Sequence, residues 1–250
     1  MRFKGLLFDK DGTLLEFHSM WLLIARAVAA RLLQAHPNVT VSAQSLLTAI
    51  GASGDRIANH GLLATHPAED IAKAWYRLMA ISGDLALFTR QVKGLFNSQV
   101  EENPLLIRAL PGVKETLAGL KEQGFKLGVA TADSKDATIF SLEKAGIYHL
   151  FDYIGYSDGD IAPKPAPVLL HRFCARCDLN AGDIVIFGDT VSDMLFGRNA
   201  GAKRVGVLTG AASREDLEPY ADMILSSVAD FNAFRLRQLD YDEGKRVWLE

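Results

Sequence analysis

The chain is short of sulfur and proline, with two cysteines and eight prolines in 250 residues. So few cysteines exclude a disulfide-stapled secreted scaffold. The two form a Cys-x-x-Cys pair, Cys174 and Cys177, with no second Cys/His cluster to complete a four-ligand zinc site. They read as reduced thiols on successive turns of a helix. No run approaches the ~18 apolar residues of a membrane span. The longest apolar-rich stretch, residues 21–33, is interrupted by Arg26 and Arg31 and reads as an amphipathic helix. Positive charge is not in excess: the net charge is −3 and the pI about 6.1, which argues against nucleic acid as a partner. No secretory leader precedes the first strand-like run, so a cytoplasmic location is expected. Internal repeats and low-complexity tracts are also absent.

What is present is a repeated grammar of a short apolar run, a polar turn and a helical pattern. Leu6-Leu7-Phe8 runs into Asp9, residues 125–130 into Thr131, and Ile184-Val185-Ile186-Phe187 into Gly188-Asp189. Residues 204–208 and 223–225 look like further strands, and helical patterns lie near 113–123, 135–146, 166–178 and 191–200. This alternation predicts a Rossmann-like α/β core with a parallel sheet covered on both faces. Residues 15–103 differ. They carry four helical patterns, near 18–35, 42–50, 67–81 and 84–99, with turns at 51–55 and at His66-Pro67 and no convincing strand. The expected division is an α/β core of residues 1–14 and 104–250 interrupted by an all-helical domain, 15–103.

In open α/β sheets, ligands bind beyond the carboxyl ends of the strands. The residues after each apolar run there are Asp9 and Asp11, Thr131 and Ala132, and Asp189 and Asp193, while Lys164 sits in a Pro-Lys-Pro loop before a helix. Clustered carboxylates raise one another's pKa, and a bound cation relieves the conflict. An all-oxygen set favours a hard ion, and Mg²⁺ suits a site completed by phosphate and water. A hydroxyl and a lysine beside that cation suit a phosphoryl group, so the set points to phosphoryl transfer. Asp9 and Asp11, two apart on extended chain, face the same side, and Gly12 allows a tight turn after them.

Asp9-Lys10-Asp11-Gly12-Thr13-Leu14, then Thr131, Lys164 and Gly188-Asp189-Thr190-Val191-Ser192-Asp193, resemble in order and spacing the four motifs of the haloacid dehalogenase superfamily, in its helical-cap, phosphoglycolate-phosphatase-like branch. The resemblance implies a magnesium-dependent phosphatase of a small phosphorylated metabolite. Asp9 would be nucleophile and metal ligand. Asp11 would be general acid and then base, with its carbonyl on the metal. Thr131, Ala132 and Lys164 would hold the phosphoryl group, Lys164 also steadying Asp9, and Asp189 and Asp193 would complete the metal site. The helical insertion would be the cap, and Arg56 on its 51–56 loop would meet an anionic group of the substrate. The bland alternatives are a solvated arginine at 56 and, for Asp193, a carboxylate that only stabilises its own helix start. His18 could face the entrance or be a hinge residue; His60 and His66 carry no signal.

The chain departs from the pattern after the second motif's hydroxyl, where asparagine is common and Ala132-Asp133 stands here. Asp11 separates it from true dehalogenases, which lack that second aspartate. Two other functions use similar residues: a phosphomutase resembling β-phosphoglucomutase, and a non-catalytic phospho-aspartate switch resembling receiver domains. The long helical insertion disfavours the switch. A dinucleotide binder lacks its Gly-x-Gly-x-x-Gly after the first strand. Oligomeric state is not legible.

Overall fold

A computed structural model describes residues 2–58, 61–157, 161–241 and 247–248. The chain divides into two compact units, Met1–Glu16 with Arg108–Glu250, and Phe17–Ile107.

The larger unit is built on a seven-stranded sheet in which every pairing is parallel. Its strands, with the numbering running through the whole chain, are β1 (Gly5–Phe8), β4 (Lys126–Ala130), β5 (Tyr153–Gly155), β6 (Ile184–Gly188), β7 (Lys203–Val207), β8 (Met223–Leu225) and β9 (Val247–Trp248). Their order is β5-β4-β1-β6-β7-β8-β9. β1 is buried along its whole length, as a central strand covered on both faces must be. Its Phe8 stacks on Phe187 of β6 with ring centroids 4.7 Å apart. The helices are α6 (Val113–Glu122), α7 (Lys135–Lys144), α8 (Val168–Cys177), α9 (Val191–Ala200), α10 (Arg214–Leu217) and α11 (Ala233–Tyr241). α7 starts on Ser134 and α9 on Thr190, whose side chains accept backbone N–H groups of the first turn. Cys174 and Cys177 lie on α8 as free thiols. Strand order reverses between β1 and β6, because the chain fills β4 and β5 on one side of β1 and then β6 to β9 on the other. That is the switch point where open α/β sheets bind ligands.

The smaller unit holds α1 (His18–Ala35), α2 (Ala43–Ala49), α3 (Leu62–Thr65), α4 (Ala68–Leu78) and α5 (Leu85–Glu102). Trp75 of α4 is its fully buried centre: the indole N–H donates to the Leu46 carbonyl at 2.8 Å, and the ring stacks on Phe96 of α5. The unit is not wholly helical. Ala52–Ser53 (β2) and Arg56–Ile57 (β3) form an antiparallel hairpin around Gly54-Asp55. Gly54, at the first central position, has φ +54°, which a glycine adopts without strain. Arg26 of α1 donates to the Gly54 carbonyl at 2.6 Å and pairs with Asp55. Two-residue strands carry no period-2 signal, which is why the segment reads in sequence as a turn. β5, Tyr-Ile-Gly and only partly buried, lacks the continuous apolar run by which the equally short β8 is read. Among the described residues, no helix is long and apolar enough to cross a membrane.

Trp75→Ala removes the largest buried side chain and leaves the Leu46 carbonyl without its donor. It is expected to cost about 3–5 kcal/mol, read as a lower urea midpoint by circular dichroism; a loss under about 1 kcal/mol contradicts this packing.

Candidate active site

Register brings the site together. Phe8 pairs with both Val129 of β4 and Phe187 of β6, so the residues after these three strands emerge at one edge of the sheet. The Asp9 N–H donates to the Phe187 carbonyl at 2.8 Å, which carries the β1 ladder one residue past the strand. Asp9, Asp189 and Asp193 thereby converge, with one carboxylate oxygen from each lying within 4.8 Å of the others. This is the one such group of three metal-ligating side chains among the described residues.

Each member is held by other groups. Lys164 Nζ lies 2.5 Å from an oxygen of Asp9 and 2.5 Å from Asp193 Oδ1. Asp193 Oδ2 accepts from the Thr190 backbone N–H and hydroxyl, closing a reciprocal cap on α9. The helix-start role weighed from sequence is therefore real and uses one oxygen, while the other faces Lys164 and the cluster. Asp189 accepts from the Thr13 hydroxyl at 3.1 Å and the Ala211 N–H at 2.8 Å. Space around it is tight: a Cβ on Gly210 would sit 1.9 Å from Asp189 Oδ2, and one on Gly12, where φ is +77°, 2.6 Å away. Only glycine fits either position without moving that carboxylate.

Electrostatics follow from this crowding. Burial, with the neighbouring Asp193 and Asp11 charges, pushes Asp9 up to about 7 against the pull of Lys164. Burial, then Asp9 and Asp193, raises Asp189 well above the ordinary carboxylate range, against the Ala211 N–H and Lys164. Three carboxylates and one ammonium leave two negative charges on an all-oxygen donor set. That set fits a hard divalent cation, which would supply the missing charge.

The other positions picked out from sequence fall in three places. Asp11 stands outside the group of three. The chain bends at Lys10, whose carbonyl accepts from Leu14 and Leu15, and the Asp11 carboxylate pairs with Lys10 at 2.6 Å. Thr131 is buried beyond β4 and its hydroxyl oxygen accepts from the Asp133 N–H at 3.2 Å, beside the half-buried Ala132. Arg56 is exposed on β3 of the smaller unit. His18 begins α1 and His66 follows α3; the side chain of His18, and His60 altogether, lie outside the described residues.

Sequence reasoning missed Lys10, Asp133 and the Thr209-Gly210-Ala211 turn. Thr209 donates to the Gly12 carbonyl at 2.6 Å and so ties that turn to the one carrying Asp11. Lys10 is fully buried, and Asp133 is its second partner at 3.0 Å. Burial opposes its charge, but Asp11 and Asp133 outweigh that and hold its pKa above the ordinary lysine value. A charged residue wedged between two motif aspartates was the available signal for Lys10, and the departure from the family pattern at Ala132-Asp133 was the signal for Asp133; nothing marked the Thr209-Gly210-Ala211 turn.

A sequence profile of the haloacid dehalogenase-like hydrolases matches residues 3–201. A phosphoglycolate phosphatase of Mannheimia succiniciproducens is 31% identical over 234 residues, 92% of this chain and 96% of that protein. The pyrophosphatase PpaX of Bacillus velezensis is 31% identical over 133 residues, 52% of this chain and 61% of its own length. Among solved structures, a predicted phosphoglycolate phosphatase from Haemophilus somnus superposes with TM-score 0.72 at 25% identity, over 95% of this chain and 99% of that one.

The raised Asp9 and Asp189 pKa values set a pH dependence. Without metal, the folded chain binds protons there that the unfolded chain has released, so stability falls as pH rises from about 4 through 7. A divalent cation competes with those protons. Mg²⁺ is therefore expected to raise Tm more at pH 8 than at pH 5 in scanning fluorimetry against an EDTA control; an equal rise at both contradicts the shared site.

Proposed function

The chain belongs to the haloacid dehalogenase-like hydrolases, and on that premise we propose that it is a magnesium-dependent phosphatase of a small phosphorylated metabolite, working through a phospho-aspartate on Asp9. The observation that carries the reading is the convergence of Asp9, Asp189 and Asp193 around the Lys164 ammonium at the switch point of the sheet.

In this reading Asp9, Asp189, Asp193 and the Asp11 carbonyl would hold Mg²⁺, which would supply positive charge to the phosphoryl oxygens and to the Asp9 carboxylate. An oxygen of Asp9 attacks phosphorus while Lys164 keeps that carboxylate ionised and oriented. The Thr131 hydroxyl, whose oxygen already accepts from Asp133 N–H, keeps its own hydrogen to donate to a phosphoryl oxygen. Lys164 adds a point charge there. Asp11 protonates the departing oxygen, then takes a proton from the water that opens the acyl-phosphate, so one carboxyl serves as acid and base in turn. Burial of Lys164, 9% exposed, keeps this charge compensation out of bulk water, where it would be weaker.

The smaller unit would supply substrate selection, and Arg56 on its hairpin would meet a second anionic group. The relatives' names, a phosphoglycolate phosphatase and a pyrophosphatase, both describe compact substrates with more than one anionic group and support that class.

The test is turnover of p-nitrophenyl phosphate. The wild type with Mg²⁺ should release many equivalents of nitrophenol per chain, fall silent in EDTA and recover on added Mg²⁺. A single equivalent would favour a phospho-switch instead. Asp9→Asn should lose at least about 10³-fold in kcat, because an amide cannot form the acyl-phosphate; wild-type turnover in that variant defeats the mechanism.

A further inference from the structure

Neighbouring residues on an extended chain point to opposite sides, so Lys10 would be expected to face away from both Asp9 and Asp11. The bend at Lys10 changes this. Its ammonium ends up with no exposed surface, 2.6 Å from Asp11 Oδ2 and 3.0 Å from Asp133 Oδ2. A buried ammonium is costly unless paired on several sides, and two carboxylates meet that requirement. Asp133 is itself anchored on the loop beyond β4. Its N–H donates to the Thr131 hydroxyl oxygen, and its carbonyl accepts from the Ser157 N–H at 3.1 Å. One ion chain therefore joins the loop after β1 to the loop after β4.

We propose that Lys10, anchored by Asp133, is a positioning residue that fixes the Asp11 carboxylate for proton transfer; this rests on the phosphatase reading above. An aspartate on a tight turn can rotate about two side-chain torsions, and a displacement of about 1 Å is enough to cost ~10²-fold in a positioned step. Lys10 holds Oδ2 of Asp11, so both proton transfers fall to Oδ1. Asp133 refers that geometry to a second strand, so that it does not depend on the 10–15 turn alone. Because its N–H also meets Thr131, the same residue sets the phosphate-facing hydroxyl and, through Lys10, the proton donor. This gives Asp133 a use at the place where the family more often has asparagine nearby. Asp9 and Lys164 are reached by neither contact, so nucleophilic attack keeps its own support.

The proposal predicts a defect that depends on the leaving group. p-Nitrophenolate leaves with little help from an acid, whereas phenolate needs the proton more. The experiment compares kcat/KM for p-nitrophenyl phosphate and phenyl phosphate, with Mg²⁺, in wild type, Lys10→Met and Asp133→Asn. Lys10→Met should lose about 100-fold on phenyl phosphate but about tenfold or less on p-nitrophenyl phosphate. Asp133→Asn, which keeps Lys10 and one amide oxygen beside it, should show the same selectivity in smaller measure. If Lys10→Met gives no folded protein by circular dichroism, Asp133→Asn decides. An unchanged ratio between the two substrates in Asp133→Asn overturns the proposal, because general loosening of the fold would depress both alike. Wild-type protein that turns over neither substrate would instead remove the phosphatase reading, and this inference with it. An active wild type with unselective variants removes this inference alone.

Discussion

Asp9, Asp189 and Asp193 are three carboxylates gathered within 4.8 Å, and they repel one another in a place where burial makes that repulsion strong. Lys164 offsets part of it by contacting Asp9 and Asp193. Asp189 is steadied by two neutral donors, Thr13 and Ala211, which orient it but add no charge. What remains is a deficit of two positive charges, matched to a divalent ion. The surrounding architecture can be understood as the means of holding this arrangement against its own tendency to spread.

The sheet does most of the holding. β1 and β6 lie side by side in register, each followed immediately by an aspartate, Asp9 and Asp189. The α9 cap fixes Asp193 by one oxygen and leaves the other turned toward Lys164. Gly12 and Gly210 clear the volume into which Asp189 fits. At the same edge, Lys10 with Asp11 and Asp133 makes a second ion cluster in which a buried cation lies between two carboxylates. The two clusters are organised alike, one ammonium reaching two acids, but the third carboxylate of the first, Asp189, leaves it with two surplus negative charges where the second has one.

How much of this was legible in the sequence varied with range. The α/β core was legible because apolar runs alternate with polar turns and helical patterns, and because β1 and β6 are too apolar to face water. The positions of Asp9 and Asp189 at strand ends, and of Asp193 in the helix that follows β6, were legible for the same reason. The β2–β3 hairpin was not, since two residues cannot show a period, and neither was β5, whose Tyr-Ile-Gly lacks the continuous apolar run that marks the equally short β8. The same-side reading of Asp9 and Asp11 assumed extended chain, and the bend at Lys10 instead points Asp11 toward its neighbour's ammonium. Lys10 with Asp133, and Thr209 with Gly12, meet across more than a hundred residues of sequence, and only the folded sheet brings them together.

The most direct measurement is the anomalous scattering of a crystal grown with Mn²⁺ in place of Mg²⁺. The account predicts one peak coordinated by oxygens of Asp9, Asp189 and Asp193. A peak elsewhere in the chain, or those three carboxylates apart with no ion among them at saturating Mn²⁺, would contradict it.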